Sequence, residues 1–100
     1  MSQQINATEL LTRLNQAEQI NLIDVREAME YHTYNIGGRN IPLSKLEQSI
    51  NELGYNKTDE IIVICKAGLR SKTAQTILQQ YGYKDVKNLI GGLLALQKLK

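Results

Sequence analysis

The sequence holds one cysteine, one proline, no tryptophan and no phenylalanine among its 100 residues. A single cysteine cannot close an internal disulfide, which excludes a small stapled scaffold of the secreted kind. No apolar run approaches the roughly 20 residues that a membrane-spanning helix needs. The stretch 1–11 has neither the basic n-region nor the apolar h-region of a secretory signal. Charge of one sign is also lacking: 12 Lys and Arg against 10 Asp and Glu leave +2, too little and too dispersed for a nucleic-acid-binding face. The five tyrosines are scattered rather than set within a basic run, so they read as packing and not as base-stacking platforms. These absences predict a soluble cytoplasmic protein whose lone thiol stays reduced, with neither nucleic acid nor a membrane as partner.

What is present fits one compact unit. One hundred residues allow a single domain, 1–100, able to bury roughly 60 to 70% of its unfolded surface without staples. An apolar content of 42% speaks against disorder. Short apolar runs at 20–25, 38–43, 61–65 and 86–90 read as strands, with a weaker signal over 4–6. Between them, Leu10, Leu11 and Leu14 follow Asn6 and Thr8, both cap candidates. Leu43, Leu46, Ile50 and Leu53 recur at helical spacing, with Ser44 as a cap and Gly54 as a stop. Ala74, Ile77, Leu78 and Tyr81 form another stripe closed by Gly82, and a last helix is predicted from about Leu93 to Leu99. Strands alternating with helices predict an α/β fold with a mainly parallel sheet of about five strands, flanked by helices on both faces.

The cysteine, Cys65, ends the strongest strand, "IIVIC", which is apolar at every position as a doubly covered strand is. Open α/β sheets place ligand sites outside the carboxyl ends of their strands. The segment "KAGLRS" then leads into a helix predicted to begin near Ser71. Such a strand-to-helix loop can turn backbone N–H groups inward around an anion, and Gly68 permits a positive φ or a close backbone approach. A thiolate in that nest would have a lowered pKa. Arg70 could reach back over the loop as a planar donor for an oxyanion, while Lys66 and Lys72 add positive potential. A lone cysteine ending an apolar strand is also an ordinary core residue. From these residues alone both readings stand.

Four segments, in order, resemble the rhodanese family of sulfurtransferases over nearly the whole chain. "LIDVREAMEY" (22–31) is similar to its Asp-x-Arg segment, and "YNIGGRNIPL" (34–43) to its Gly-His-Ile-Pro-Gly-Ala segment. "CKAGLRS" (65–71) resembles the active-site loop, and "LIGGLLAL" (89–96) the closing Gly-Gly segment. The resemblance implies a rhodanese-like fold and a reaction in which Cys65 takes the outer sulfur of thiosulfate or a similar donor. Cyanide, a thiol or a protein sulfur acceptor then takes that sulfur. Lys66, Ala67, Gly68, Leu69, Arg70 and Ser71 carry over as the substrate-binding loop, with no metal or organic cofactor implied and a monomer expected. Asp24 and Arg26 are read as a hydrogen-bonded brace near the strand end rather than a substrate-side ion pair. His32 has no second ligand at metal spacing and reads as an exposed helix residue.

The pattern departs from the family at Tyr34, Asn35 and Gly37, and at Leu96, where a tryptophan is usual. Two other functions compete. A Cys-dependent phosphatase or arsenate reductase would use a similar loop, but with five residues between cysteine and arginine, where Cys65 and Arg70 enclose four. A non-enzymatic sulfur-carrier or interaction module would share the cysteine and differ only in its acceptor.

Overall fold

The structure, a computed structural model, describes residues 3–99. Its strands are β1 (Gln4–Ile5), β2 (Leu22–Asp24), β3 (Arg39–Asn40), β4 (Glu60–Ile64) and β5 (Asp85–Leu89). They form one sheet in the order β1-β5-β4-β2-β3 with every pairing parallel. The helices are α1 (Ala7–Asn15), α2 (Ala28–Thr33), α3 (Leu46–Ser49), α4 (Leu69–Gln80) and α5 (Gly92–Gln97).

The alternation of β4 explains its unbroken apolar run. Ile61, Val63 and Cys65 face a core shared with Ala74 and Leu78 of α4 and Leu46 of α3. Ile62 and Ile64 face the opposite core, with Leu10 of α1 and Leu93 and Leu96 of α5. Helices therefore cover both faces, and Ile61 to Ile64 are all shielded from water. Leu96, fully buried, fills its part of the second core without an aromatic ring.

Register sets the functional end. Asp24 pairs with Ile64 and Asn88 with Val63, so the carboxyl ends of β2, β4 and β5 lie nearly level. Cys65 is the next residue beyond β4, and Asp24, Cys65 and Asn88 occupy one rim of the sheet.

Several element bounds differ from the expected ones. Past the end of β3, Ile41 and Leu43 still donate N–H bonds to Asp24 O and Val25 O, both at 3.0 Å. Pro42 between them turns its nitrogen to the open edge of the sheet, where no ladder bond is lost. The stripe over 43–53 forms a 3₁₀ turn (Leu43–Lys45), α3 and a second 3₁₀ turn (Ile50–Glu52). Ser44 lies inside the first turn and does not cap it. Leu46, Ile50 and Leu53 reach the core either way, so their spacing does not distinguish the two helix types. Asn6 is the cap of α1: its Oδ1 accepts the Glu9 N–H at 2.8 Å, and Glu9 Oε1 accepts the Asn6 N–H at 3.2 Å. Thr8 lies within that helix. α5 runs Gly92–Gln97 rather than to Leu99, and Lys100 lies outside the described residues.

α2 buries no residue completely, so no apolar stripe announces it, and His32 stands exposed on it. Its end is fixed by Asn35, whose Nδ2 donates to Tyr31 O and whose Oδ1 accepts the Gly37 N–H, both at 2.9 Å. That is the structural use of one residue where the chain departs from the family pattern.

Candidate active site

Beyond β4 the chain turns through Lys66, Ala67 and Gly68 and enters α4 at Leu69, two residues earlier than expected. Gly68 is the N-cap at φ 101°. A Cβ there would stand 3.3 Å from Gly91 N and 3.5 Å from Leu89 O, so both conformation and space call for glycine.

This turn wraps the sulfur. Cys65 Sγ accepts N–H bonds from Gly68 at 3.0 Å and Ser71 at 3.3 Å, and lies 3.2 Å from Ser71 Oγ. Burial pushes the thiol pKa up, but the Ser71 hydroxyl and the N–H groups of Ser71, Gly68 and Ala67 outweigh it and hold the thiol below its ordinary value. The start of α4 adds its dipole in the same sense. Cys65 is only 1% exposed, as a core cysteine would be, yet its sulfur is surrounded by donors that favour its anion.

Two further elements hold the turn from outside. Leu93 and Leu94 of α5 donate N–H bonds to Cys65 O at 2.9 Å and Lys66 O at 3.0 Å. Gly92 (φ 62°) packs so closely that a Cβ would sit 2.5 Å from Lys66 O and 2.6 Å from Cys65 O. On the inner side, Ser71 Oγ donates to Asn88 Oδ1 at 2.5 Å, and Asn88 Nδ2 donates to Gly68 O at 3.3 Å. Asn88 is a site residue that the sequence reading missed. Its signal is a buried polar residue two positions after Val86, on the strand face that should have been apolar.

Arg70, expected to serve an oxyanion at the loop, is paired with a carboxylate of α2. Its Nη1 and Nη2 donate to Glu30 Oε1 and Oε2 of α2 at 2.6 and 3.0 Å. The Arg70 hydrogen bonds hold the Glu30 carboxyl at a pKa of about 2, against the desolvation that would raise it. Asp24 and Arg26 form a second, sealed ion pair: Arg26 Nη2 lies 2.7 Å from Asp24 Oδ2 and Nε 3.0 Å from Oδ1. The same Nη2 donates to Tyr34 O at 2.7 Å, which ties β2 to the end of α2. Asn40 Nδ2 bonds Asp24 O and Arg26 O. Of the remaining loop residues, Lys66, Ala67 and Leu69 are exposed while Ser71 is buried. Beside the turn lies a cleft of about 380 Å³ whose lining includes Arg26, Met29, Glu30, Lys66 and Leu94.

Among the described residues no group of three or more His, Cys, Asp and Glu could hold a metal ion. No described helix is long and apolar enough to cross a membrane.

Known proteins share this architecture. The family model described as "Rhodanese-like domain" matches residues 6–99. YrkF of Bacillus subtilis is 39% identical over 82 residues, which cover 81% of this chain and 43% of that protein. The thiosulfate sulfurtransferase PspE of Escherichia coli is 38% identical over 81 residues, covering 78% of this chain and 77% of PspE. The match to YqhL of Bacillus subtilis covers 56% of it, so the chain spans about half the length of YrkF and YqhL. A Staphylococcus aureus rhodanese-like domain protein superposes with a TM-score of 0.83 at 27% identity, covering 96% of this chain and 91% of that one. Human single-domain sulfurtransferase TSTD1 shares the fold with a TM-score of 0.88 at 23% identity, over 100% of this chain and 99% of its own. With a family match running from the cap of α1 to the end of the described chain, and the all-parallel five-stranded sheet beneath it, this chain belongs to the rhodanese-like domain family.

Proposed function

We propose that the domain is a sulfurtransferase that moves a sulfane sulfur from thiosulfate, or a similar anionic donor, through Cys65 to cyanide or a thiol. The Cys65 thiolate attacks the outer sulfur of the donor. A new S–S bond forms, the donor's own S–S bond breaks, and its electron pair leaves with sulfite. The acceptor then attacks the outer sulfur of the Cys65 persulfide and takes it, and the bonding pair returns to Cys65 as thiolate. Both steps balance with donor and acceptor alone.

The observation that carries this reading is the ring of polar groups around Cys65 Sγ: it accepts N–H bonds from Gly68 and Ser71 and lies 3.2 Å from Ser71 Oγ. Preorganised N–H groups stabilise negative charge without reorganising when it appears. Here they serve the thiolate before attack and the persulfide afterwards. Buried apolar cysteines have their pKa raised instead, and nothing in core packing requires such a ring. Lys66 and Lys72, both exposed, add positive potential for an anionic donor.

A reducing compartment such as the cytoplasm, where a lone thiol stays free, is the proposed setting. Every group of the proposed site comes from one chain, which supports a monomer as the working unit. The test is thiosulfate-to-cyanide transfer by the wild type and Cys65→Ser. The serine variant should lose all transfer and keep its circular dichroism spectrum; turnover at the wild-type rate in that variant contradicts the proposal.

A further inference from the structure

Two ion pairs flank the Cys65 turn, and they differ in one respect. The Asp24–Arg26 pair is sealed, with side chains 0% and 7% exposed. The Glu30–Arg70 pair is open, with side chains 34% and 37% exposed. Only the open pair can exchange its partner at small cost. Glu30 also lines the cleft beside Lys66.

Arg70 is the planar cation placed to serve an oxyanion at this turn, and its end-on pair of N–H groups already holds both oxygens of Glu30. Charge follows the same pattern. Asp24 offsets Arg26 and Glu30 offsets Arg70, which leaves Lys66 and Lys72 as the uncompensated cations of the turn and the first turns of α4.

We propose that Glu30 is a specificity-determining residue: its carboxylate occupies Arg70 as an internal anion that a donor must displace. The inference rests on the proposed reaction, in which the turn binds an anionic donor. Displacement favours a compact dianion such as thiosulfate, whose charge outweighs that of one carboxylate, over singly charged solutes. A tether that merely positions Arg70 predicts the reverse effect of removing the carboxylate, so the two roles separate experimentally.

Glu30→Gln is the informative change. Glu30 Oε1 also accepts the Glu27 N–H at 3.0 Å, and a glutamine oxygen keeps that bond while giving up the charge. The probe is sulfate, and the readout is its protection of Cys65 against iodoacetamide at fixed ionic strength, which needs no turnover. Glu30→Gln should lower the half-protecting sulfate concentration by about two- to five-fold, the worth of a half-exposed pair. In an Arg70→Gln background the same change should have no such effect, because nothing is left to compete for. Glu30→Asp, one methylene short of Arg70 but still charged, should shift protection in the same direction by less, and serves if the glutamine variant folds poorly. A raised half-protecting concentration in Glu30→Gln makes Glu30 a tether and overturns the inference. Equal improvement with and without Arg70 reduces it to bulk charge and overturns it too. Protection in the wild type that Glu30→Gln leaves unchanged overturns the inference alone, whereas no protection in any variant overturns the anion-binding reading of the turn as well.

Discussion

Replacing Gly92 by alanine tests how far the thiol depends on α5. The added Cβ would sit 2.5 Å from Lys66 C and Lys66 O and 2.6 Å from Cys65 O, and all three are backbone atoms that cannot rotate away. Restoring ordinary contact requires α5 and the turn to separate by about 1 Å, well beyond the slack of a packed interior. That movement strains the bonds from Leu93 N to Cys65 O and from Leu94 N to Lys66 O, each worth about 0.5–1.5 kcal/mol. The left-handed φ of 62° adds about 1–2 kcal/mol for a residue with a Cβ. The expected loss is about 2–5 kcal/mol, a large part of the ~5–15 kcal/mol that holds a domain folded. With no tryptophan in the chain, urea unfolding is followed by circular dichroism. Because the turn carries the N–H groups that hold the sulfur, the pH midpoint of Cys65 alkylation should rise together with the loss of stability. Stability within about 0.5 kcal/mol of wild type, the range of neutral surface changes, with an unchanged alkylation midpoint, would refute the buttress argument.

Three other outcomes follow from the same geometry. Arg26→Met leaves the fully buried Asp24 without its cation and should cost about 3–5 kcal/mol in urea unfolding; adding Asp24→Asn should recover part of that loss, and no recovery would contradict the pairing. Ser71→Ala removes the hydroxyl 3.2 Å from Cys65 Sγ, whose contact lowers the thiol pKa, and should raise the midpoint of alkylation against pH, whereas the wild-type midpoint should fall below the ~8.5 of a free thiol; a wild-type midpoint above that value would restore the core reading. Arg13 and Lys87 hold the Glu60 carboxyl at a pKa of about 2 instead of 4.5. Its contribution to stability is therefore complete above 4.5 and lost as pH falls through about 2, because the unfolded chain takes up the proton first. Unfolding midpoints measured from pH 5 downward should show that decline, and Glu60→Gln should flatten it; an equally steep decline in the variant would remove Glu60 as a cause.

How much of this was legible in the sequence depended on whether the cause was local. The run "IIVIC" displays its double coverage because both of its side-chain sets meet apolar cores. The turn after Cys65 was legible because Gly68 and the succeeding helix lie within a few residues of the thiol. α2 was legible only as an exposed helix around His32, without bounds, since it buries no side chain completely and is held by polar bonds at its ends. The partner of Arg70 lies 40 residues away in sequence, and composition or periodicity cannot assign a long-range ion pair. Asn88 was hidden for a related reason: its partners Ser71 and Gly68 come from another element. Ser44 shows the opposite error, a local cap signal overridden where Pro42 and the core packing of Leu46 select a 3₁₀ entry.

The most direct test of the central claim asks whether sulfur arrives at Cys65. The protein is treated with thiosulfate, freed of excess donor, and weighed intact by mass spectrometry, then digested to locate any added mass. The account predicts a gain of one sulfur atom on the peptide carrying Cys65, lost on addition of cyanide and absent from Cys65→Ser. An unchanged mass in the folded wild-type protein, or a gain that persists in the serine variant, would contradict it.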